Sequence, residues 1–263
     1  MQPNLSPLLV VGAGWLGEPL AQRLQTQGQR VVVTARQADR IQSLQAAGLS
    51  AWRLDLADAG ESFGLHDRLK AFRTLLLAIP PAKGGGLLYA DQLKFLLAHW
   101  PEEAGRKIVF YSSTSVYPDQ DGSWKEEDEL QTDHPVSQAE SVIGSWGKNV
   151  LILRCGGLCD ERRIIGRYFA GKILPNADQP VNYVHREDVI GATLHLLERE
   201  TNGIFNVVAP LHPTRQAVFQ TQANRYQFAP PLTAQAGGIH RIIDAEKLLA
   251  TGYTFLHPDP QLF

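Results

Sequence analysis

The turn Gly12-Ala13-Gly14-Trp15-Leu16-Gly17 lies between an apolar run at 8–11, which reads as a strand, and a helical pattern at 16–27. Few local sequences constrain a fold as tightly. In a strand–turn–helix of this kind the first glycine permits the tight turn. The second lets backbone approach a pyrophosphate, and the third lets helix and strand pack closely. A lone G-x-G-x-x-G is weak evidence, and its weight here comes from the order of the remaining segments. Further strands are expected at 30–34, 50–54, 74–79, 107–111 and 150–154, with helices at 39–47, ended by Gly48, and at 87–100. Strands separated by helix-length segments imply right-handed crossovers and a parallel sheet covered on both faces. The fold class is therefore α/β, a Rossmann-type doubly wound parallel sheet.

After Cys155 the pattern loosens. A short extended segment at 182–185, a helix at 187–200 and a strand at 203–208 precede a mixed stretch with prolines and glycines from Pro210 to Gly238. The expected organisation is an NAD(P)-binding core over 1–155 and a smaller substrate or lid region over 156–263. Its strand at 203–208 returns to the sheet, so that the whole is one structural unit.

A chain of 263 residues with 44% hydrophobic and 20% charged residues can bury a sizeable core. Its formal net charge of −2 gives no field to attract nucleic acid or an anionic membrane. Cys155 and Cys159 are the two cysteines, too few for a disulfide scaffold and without neighbours for a metal site, so no metal is expected. No apolar segment approaches the ~20 residues of a membrane span, and the first seven residues lack the pattern of a signal peptide. A cytoplasmic location with idle thiols is expected.

The glycine turn and the helix amino terminus that it opens, with the N–H groups of Trp15 and Leu16, would receive the phosphates. The second strand should end in the residue that reads the adenosine ribose. An acidic residue there suits the ribose hydroxyls of NAD, but this chain has Thr34-Ala35-Arg36, with Arg40 a helical turn later. A guanidinium suits a 2′-phosphate by charge and bidentate geometry, which favours NADP over NAD. Asp55, after the third strand, is placed to border the adenine. Ala78-Ile79-Pro80, after the fourth, is placed to pass under the cofactor.

The fifth strand runs into Tyr111-Ser112-Ser113-Thr114-Ser115-Val116-Tyr117. Ligands of open parallel sheets bind beyond the carboxyl ends of the strands, so these hydroxyls can face a ligand, although Ser and Thr are also ordinary turn residues. Ser112 is counted with the cofactor set.

Together these features resemble the extended short-chain dehydrogenase/reductase family, the NAD-dependent epimerases and dehydratases that act mainly on nucleotide sugars. Ser112-Ser113-Thr114-Ser115-Val116-Tyr117 resembles the family's Ser-Ser-x-x-Val-Tyr segment. Leu153-Arg154-Cys155-Gly156-Gly157-Leu158 is similar to its Leu-Arg-x-x-Gly-Ile/Leu segment. Tyr183 to Val189 is similar to its Ile-His-x-x-Asp-Val/Leu segment, and Gly203-Ile204-Phe205-Asn206-Val207 to its Gly-x-Tyr-Asn-Val strand. The resemblance covers almost the whole chain. It implies an NAD(P)-dependent oxidoreductase or epimerase on a small or nucleotide-linked substrate, and homodimers are common in the family.

By the resemblance Thr114 takes the position of the catalytic Ser or Thr, and Tyr117 is a candidate to move a proton. The family's main acid/base is the Tyr of a Tyr-x-x-x-Lys pair, whose lysine lowers the tyrosine pKa. The corresponding segment here, 131–140, contains neither Tyr nor Lys. Counting back from Glu140, the two positions fall near Val136 and Thr132. His134 lies near the vacant position and has a suitable intrinsic pKa, though a loop histidine beside a proline is an ordinary feature. One Tyr-x-x-x-Lys does occur, Tyr168 to Lys172, but after the sixth strand and interrupted by Gly171, and it reads as coincidence. Ser115-Val116 stands where sugar dehydratases carry Asp-Glu, which disfavours 4,6-dehydration. A non-catalytic NADP-binding protein on the same fold is the competing reading.

Overall fold

All four residues of β1 (Leu8–Val11) are buried, because a parallel strand in mid-sheet has helices on both faces and no polar side. The same logic makes β4 (Thr74–Leu77) and β7 (Val150–Cys155) apolar runs rather than alternating ones. The computed structural model describes residues 7–58, 64–81 and 89–263. In chain order α1 (Gly17–Thr26), β2 (Val31–Ala35), α2 (Ala38–Ala46), β3 (Ser50–Arg53) and α3 (Leu65–Leu69) lie between β1 and β4. Then come α4 (Tyr89–Ala98), β5 (Lys107–Ser113), β6 (Gly122–Trp124), α5 (Pro135–Gly144) and β7. The remainder comprises β8 (Gly157–Cys159), β9 (Ile173–Leu174), β10 (Tyr183–His185), α6 (Arg186–Glu198), β11 (Gly203–Val207), α7 (Arg215–Tyr226), β12 (Thr233–Ala234), β13 (Arg241–Ile243) and α8 (Glu246–Leu249).

The main sheet is parallel, with strand order β11-β7-β5-β4-β1-β2-β3, a doubly wound α/β arrangement. The chain winds from β1 outward through β2 to β3, then begins again at β4 on the other side of β1. Val11 is level with Thr34 on one side and Leu77 on the other, so the strands end together at the point where the winding reverses. That reversal opens a crevice between the loops after β1 and β4, the usual ligand position in open α/β sheets.

The chain divides into two compact units, residues 1–112 with 132–152, and residues 113–131 with 153–263. In the first, stacked Trp100 and Trp146, 5.0 Å between ring centroids, support the base of the core. Trp100 is fully buried, and its indole N–H donates to the Phe72 carbonyl. The second contains the parallel pairs β8·β10, β9·β12 and β6·β13 and a core cluster of Leu174, Ala177, Val181, Val218 and Phe219.

The sheet strands agree with the sequence reading to within about two residues, and β5 differs in a useful way. It continues through Ser112 and Ser113, so the turn starts at Thr114 rather than at Ser112. The expected helix at 87–100 is described from Tyr89, and residues 87–88 lie outside the described set. Three helices were not anticipated, the four-residue α8 among them. α3 is a single short turn, and α7 is polar enough to pass for loop, with Val218, Phe219, Gln222 and Ala223 as its buried residues.

Candidate functional site

The glycine turn is held in place by β2. Thr34, itself buried, accepts the Gly12 N–H on its hydroxyl at 3.2 Å and the Ala13 N–H on its carbonyl at 2.8 Å. The three glycines then separate by function. Gly12 has φ +96°, and a Cβ there would meet the Ala78 carbonyl oxygen at 2.8 Å. Gly17 is packed under the turn, where a Cβ would collide with the Gly12 carbonyl oxygen. Gly14 faces nothing within 4 Å. Two glycines are thus required by the protein itself, while the open space at the third suits a ligand drawn close to backbone.

Around Gly14 lies a cleft of about 660 Å³, within the range of cofactor and ligand pockets. Gly12, Gly14, Arg36, Asp55, Ala78, Ile79 and Pro80 all line it, together with Arg40 and Gln92. The sequence reading named the first seven of these. Arg36 is exposed beyond the end of β2. Asp55 accepts the Ala57 N–H at 3.1 Å, which folds the loop after β3 back on itself. The Ile79 carbonyl accepts the Tyr89 hydroxyl at 2.7 Å, tying the loop after β4 to α4. Burial pushes the Tyr89 phenol well above its ordinary pKa, so it remains a donor.

Four residues named for the cofactor do not line this cleft: Trp15, Leu16, Ser112 and Gly17, the last packed beneath the turn. Leu16 is buried and Trp15 half-buried at the start of α1, where their contribution would be the helix amino terminus rather than their side chains. Ser112 is buried, and its hydroxyl donates to the carboxylate of Glu140 on α5. It joins strand to helix.

Arg40 departs from the expected arrangement. Its guanidinium donates twice to the Ala13 carbonyl, at 3.3 and 3.0 Å, and once to Glu18 Oε2 at 2.5 Å. It grips the glycine turn instead of standing beside Arg36 as a second cation.

In the second unit Thr114 is buried and begins a 3-10 turn over Thr114–Val116. Ser113 Oγ accepts both the Ser115 N–H, at 3.2 Å, and the Ser115 hydroxyl, at 3.0 Å, so these serines shape the turn. Tyr117 is fully buried. Its hydroxyl donates to Asn206 Oδ1 at 2.7 Å and accepts from Arg154 at 2.8 Å, with that guanidinium 5.0 Å from the ring centroid. Burial raises the phenol pKa, an effect that Arg154 partly opposes. Arg154 also donates to the Glu126 carbonyl, and the Glu126 carboxylate accepts the Asn206 N–H at 2.7 Å. Desolvation holds the Glu126 pKa above the ordinary carboxylate range. This buried network draws the Tyr117 and Asn206 motifs together and leaves Tyr117 as a structural residue. Its candidacy as a proton carrier is withdrawn, because both faces of its hydroxyl are engaged away from solvent.

His134 is half-buried as the amino-terminal cap of α5, accepting the Val136 N–H on Nδ1 at 3.2 Å. Tyr168 is 66% exposed within a 3-10 turn that ends at Phe169, so no α-helix aligns it with Lys172. In the His-x-x-Asp segment, His185 caps α6 and lies against His257, with ring centroids 3.8 Å apart and planes tilted by 36°. Asp188 is fully buried and accepts from the Tyr253 hydroxyl and from the N–H groups of Leu256 and His257. These three residues are close enough to suggest a metal group. The carboxylate, however, already holds three donors, and His185 Nδ1 accepts the Glu187 N–H, so these ligand atoms are engaged within the protein. They read as a latch for residues 253–257. The sequence reading matched this segment as a motif and missed its partners, which lie some seventy residues away.

The family model for the NAD dependent epimerase/dehydratase family matches residues 8–140. Protein YeeZ of Escherichia coli strain K12 is 32% identical, over 97% of this chain and 98% of that protein. Among solved structures, UDP-glucuronic acid 4-epimerase from Bacillus cereus in complex with NAD superposes with TM-score 0.77, at 18% identity over 97% of this chain and 95% of that one. UDP-glucose 4-epimerase of Thermus thermophilus in complex with NAD gives TM-score 0.74, at 21% identity over 97% and 96%. Those likenesses concern the fold. The match across 8–140 and the near full-length relationship at 32% identity carry more, and on them the chain belongs to the NAD dependent epimerase/dehydratase family.

Proposed function

We propose that the protein binds a nicotinamide dinucleotide in the cleft around Gly14 and uses it as an epimerase/dehydratase-like oxidoreductase on a small or nucleotide-sugar-like substrate. The observation that carries this reading is the division among the glycines, in which Gly14 alone of the three is open to a ligand. The N–H groups at the start of α1 would hold the pyrophosphate. Asp55 would border the adenine side, and Ala78, Ile79 and Pro80 would line the opposite wall. NADP is favoured over NAD, because exposed Arg36 stands after β2 and no carboxylate does. The cofactor, when bound, supplies hydride transfer.

Thr114 would orient the reacting oxygen. The proton must come from outside the usual pair, since α5 and the residues before it, 131–144, contain neither Tyr nor Lys. Calorimetric titration with NAD, NADH, NADP and NADPH tests the reading, with binding of the phosphorylated forms expected. Binding of none of the four would end it.

The same empty pair favours a second reading, a non-catalytic NADP-binding protein. The two differ on Thr114→Ala. A catalyst loses turnover at unchanged cofactor affinity, whereas a binder has no turnover to lose across a panel of carbonyl and sugar-nucleotide substrates.

A further inference from the structure

Arg40 and Glu18 form an ion pair against the glycine turn, and from it we infer that they are positioning residues for the dinucleotide, leaving cofactor choice to Arg36. The inference rests on the proposed dinucleotide site. Glu18 lies in the first turn of α1, the same helix end that would receive the phosphates. Its carboxylate suits the helix dipole but would repel a pyrophosphate. Arg40 Nη2 cancels that charge at 2.5 Å, and the same guanidinium holds the Ala13 carbonyl through two further bonds. Thr34 fixes the N–H side of the same residue pair, Gly12 and Ala13. The turn is thereby held through both its N–H groups and its Ala13 carbonyl, and Gly14 beside it stays open to the cleft.

The arrangement has a second consequence for selectivity. A guanidinium with three bonds to one carbonyl and one carboxylate has little left with which to grip a 2′-phosphate in the bidentate manner. Arg36, one residue beyond β2 and exposed, has no such commitment to the turn. The two arginines, four residues apart, divide the work: Arg40 shapes the cradle for any dinucleotide, and Arg36 discriminates.

The test measures Kd for NAD and NADP on the full chain by calorimetry. In Arg40→Ala both affinities should fall together, by about tenfold, with their ratio unchanged. In Glu18→Gln/Arg40→Ala part of the loss should be recovered, because the unpaired carboxylate is gone. Arg36→Ala should weaken NADP alone. Arg40→Gln, which keeps an amide donor for the Ala13 carbonyl but no charge, serves if Arg40→Ala fails to fold. It should weaken both cofactors and be rescued by Glu18→Gln. A loss confined to NADP in either Arg40 variant would make Arg40 a 2′-phosphate ligand and overturn the inference. So would unchanged affinity for both, which is how an ordinary surface pair behaves. Failure of the unaltered protein to bind either dinucleotide sinks the proposed function instead, and is seen before any variant is made.

Discussion

The glycine turn makes single-residue predictions that separate folding from binding. Gly17→Ala drives a methyl group into the Gly12 carbonyl oxygen, so α1 must move away from β1. A loss of roughly 1–3 kcal/mol of stability is expected from such overpacking, read by urea unfolding. Gly14→Ala meets nothing within 4 Å, and its unfolding curve should match the unaltered protein while dinucleotide affinity falls. A stable, tightly binding Gly14→Ala would place the cofactor elsewhere. Tyr117→Phe leaves Asn206 Oδ1 and one Arg154 N–H in a buried setting without their shared hydroxyl. That should cost about 1–3 kcal/mol in the same measurement and leave the Kd for NADP within about twofold. A Tyr117→Phe variant of normal stability and lost turnover would restore the tyrosine as a proton carrier.

Elements expose the limits of reading residues in order. The cap of α7 is a clear example: Thr214 Oγ1 accepts the Ala217 N–H at 3.2 Å, directly after Pro213. Thr214→Ala should destabilise the second unit by about 1 kcal/mol. Hydrogen exchange would detect this as faster exchange in α7, and unchanged exchange there would assign the helix its stability from Phe219 packing alone. The Thr-cap signal was present in the sequence, but the twelve polar-rich residues after it hid the helix because so narrow a stripe is buried. The sheet strands were legible for the opposite reason. Strands buried on both faces cannot disguise their apolar character, as β1 and β7 illustrate. The glycine turn was legible because backbone geometry admits few other residues. The role of Arg40 was not legible because its partners, Ala13 and Glu18, precede it by more than twenty residues, and nothing local reports a long-range bond. Ser112 and Tyr117 were read as ligand-facing from their place after a strand. Which way each hydroxyl points depends on Glu140, Asn206 and Arg154, which only the folded chain brings near.

Stability of the whole molecule should depend on pH through its buried histidines. Burial lowers the pKa of His185, with His257 adding to the effect, and burial likewise lowers that of His212. For a histidine the lowered value means that below about pH 6.5 the unfolded chain takes up protons that the folded chain refuses. Stability should therefore fall as pH drops from about 6.5, and level off once the folded-state values are passed. Urea unfolding at about pH 7.5, 6.5 and 5.5 reads the slope, and His185→Gln should flatten it. A slope of opposite sign, or one that His185→Gln leaves unchanged, would show that other groups dominate. No helix among the described residues is long and apolar enough to cross a membrane.

The course of the chain between its two compact units has a practical outcome. Since residues 113–131 belong with 153–263 and residues 132–152 return to the first unit, no single cut yields either unit whole. A gene fragment ending after β7 would carry Tyr117 and Arg154 without Asn206, the partner that their network requires from β11. A fragment beginning at 153 would carry Arg154 and Asn206 but lack Tyr117 and Glu126, removing two acceptors of the buried guanidinium. Splicing the cofactor-cleft half onto another protein would therefore require replacing 113–131 by a designed loop rather than choosing a boundary.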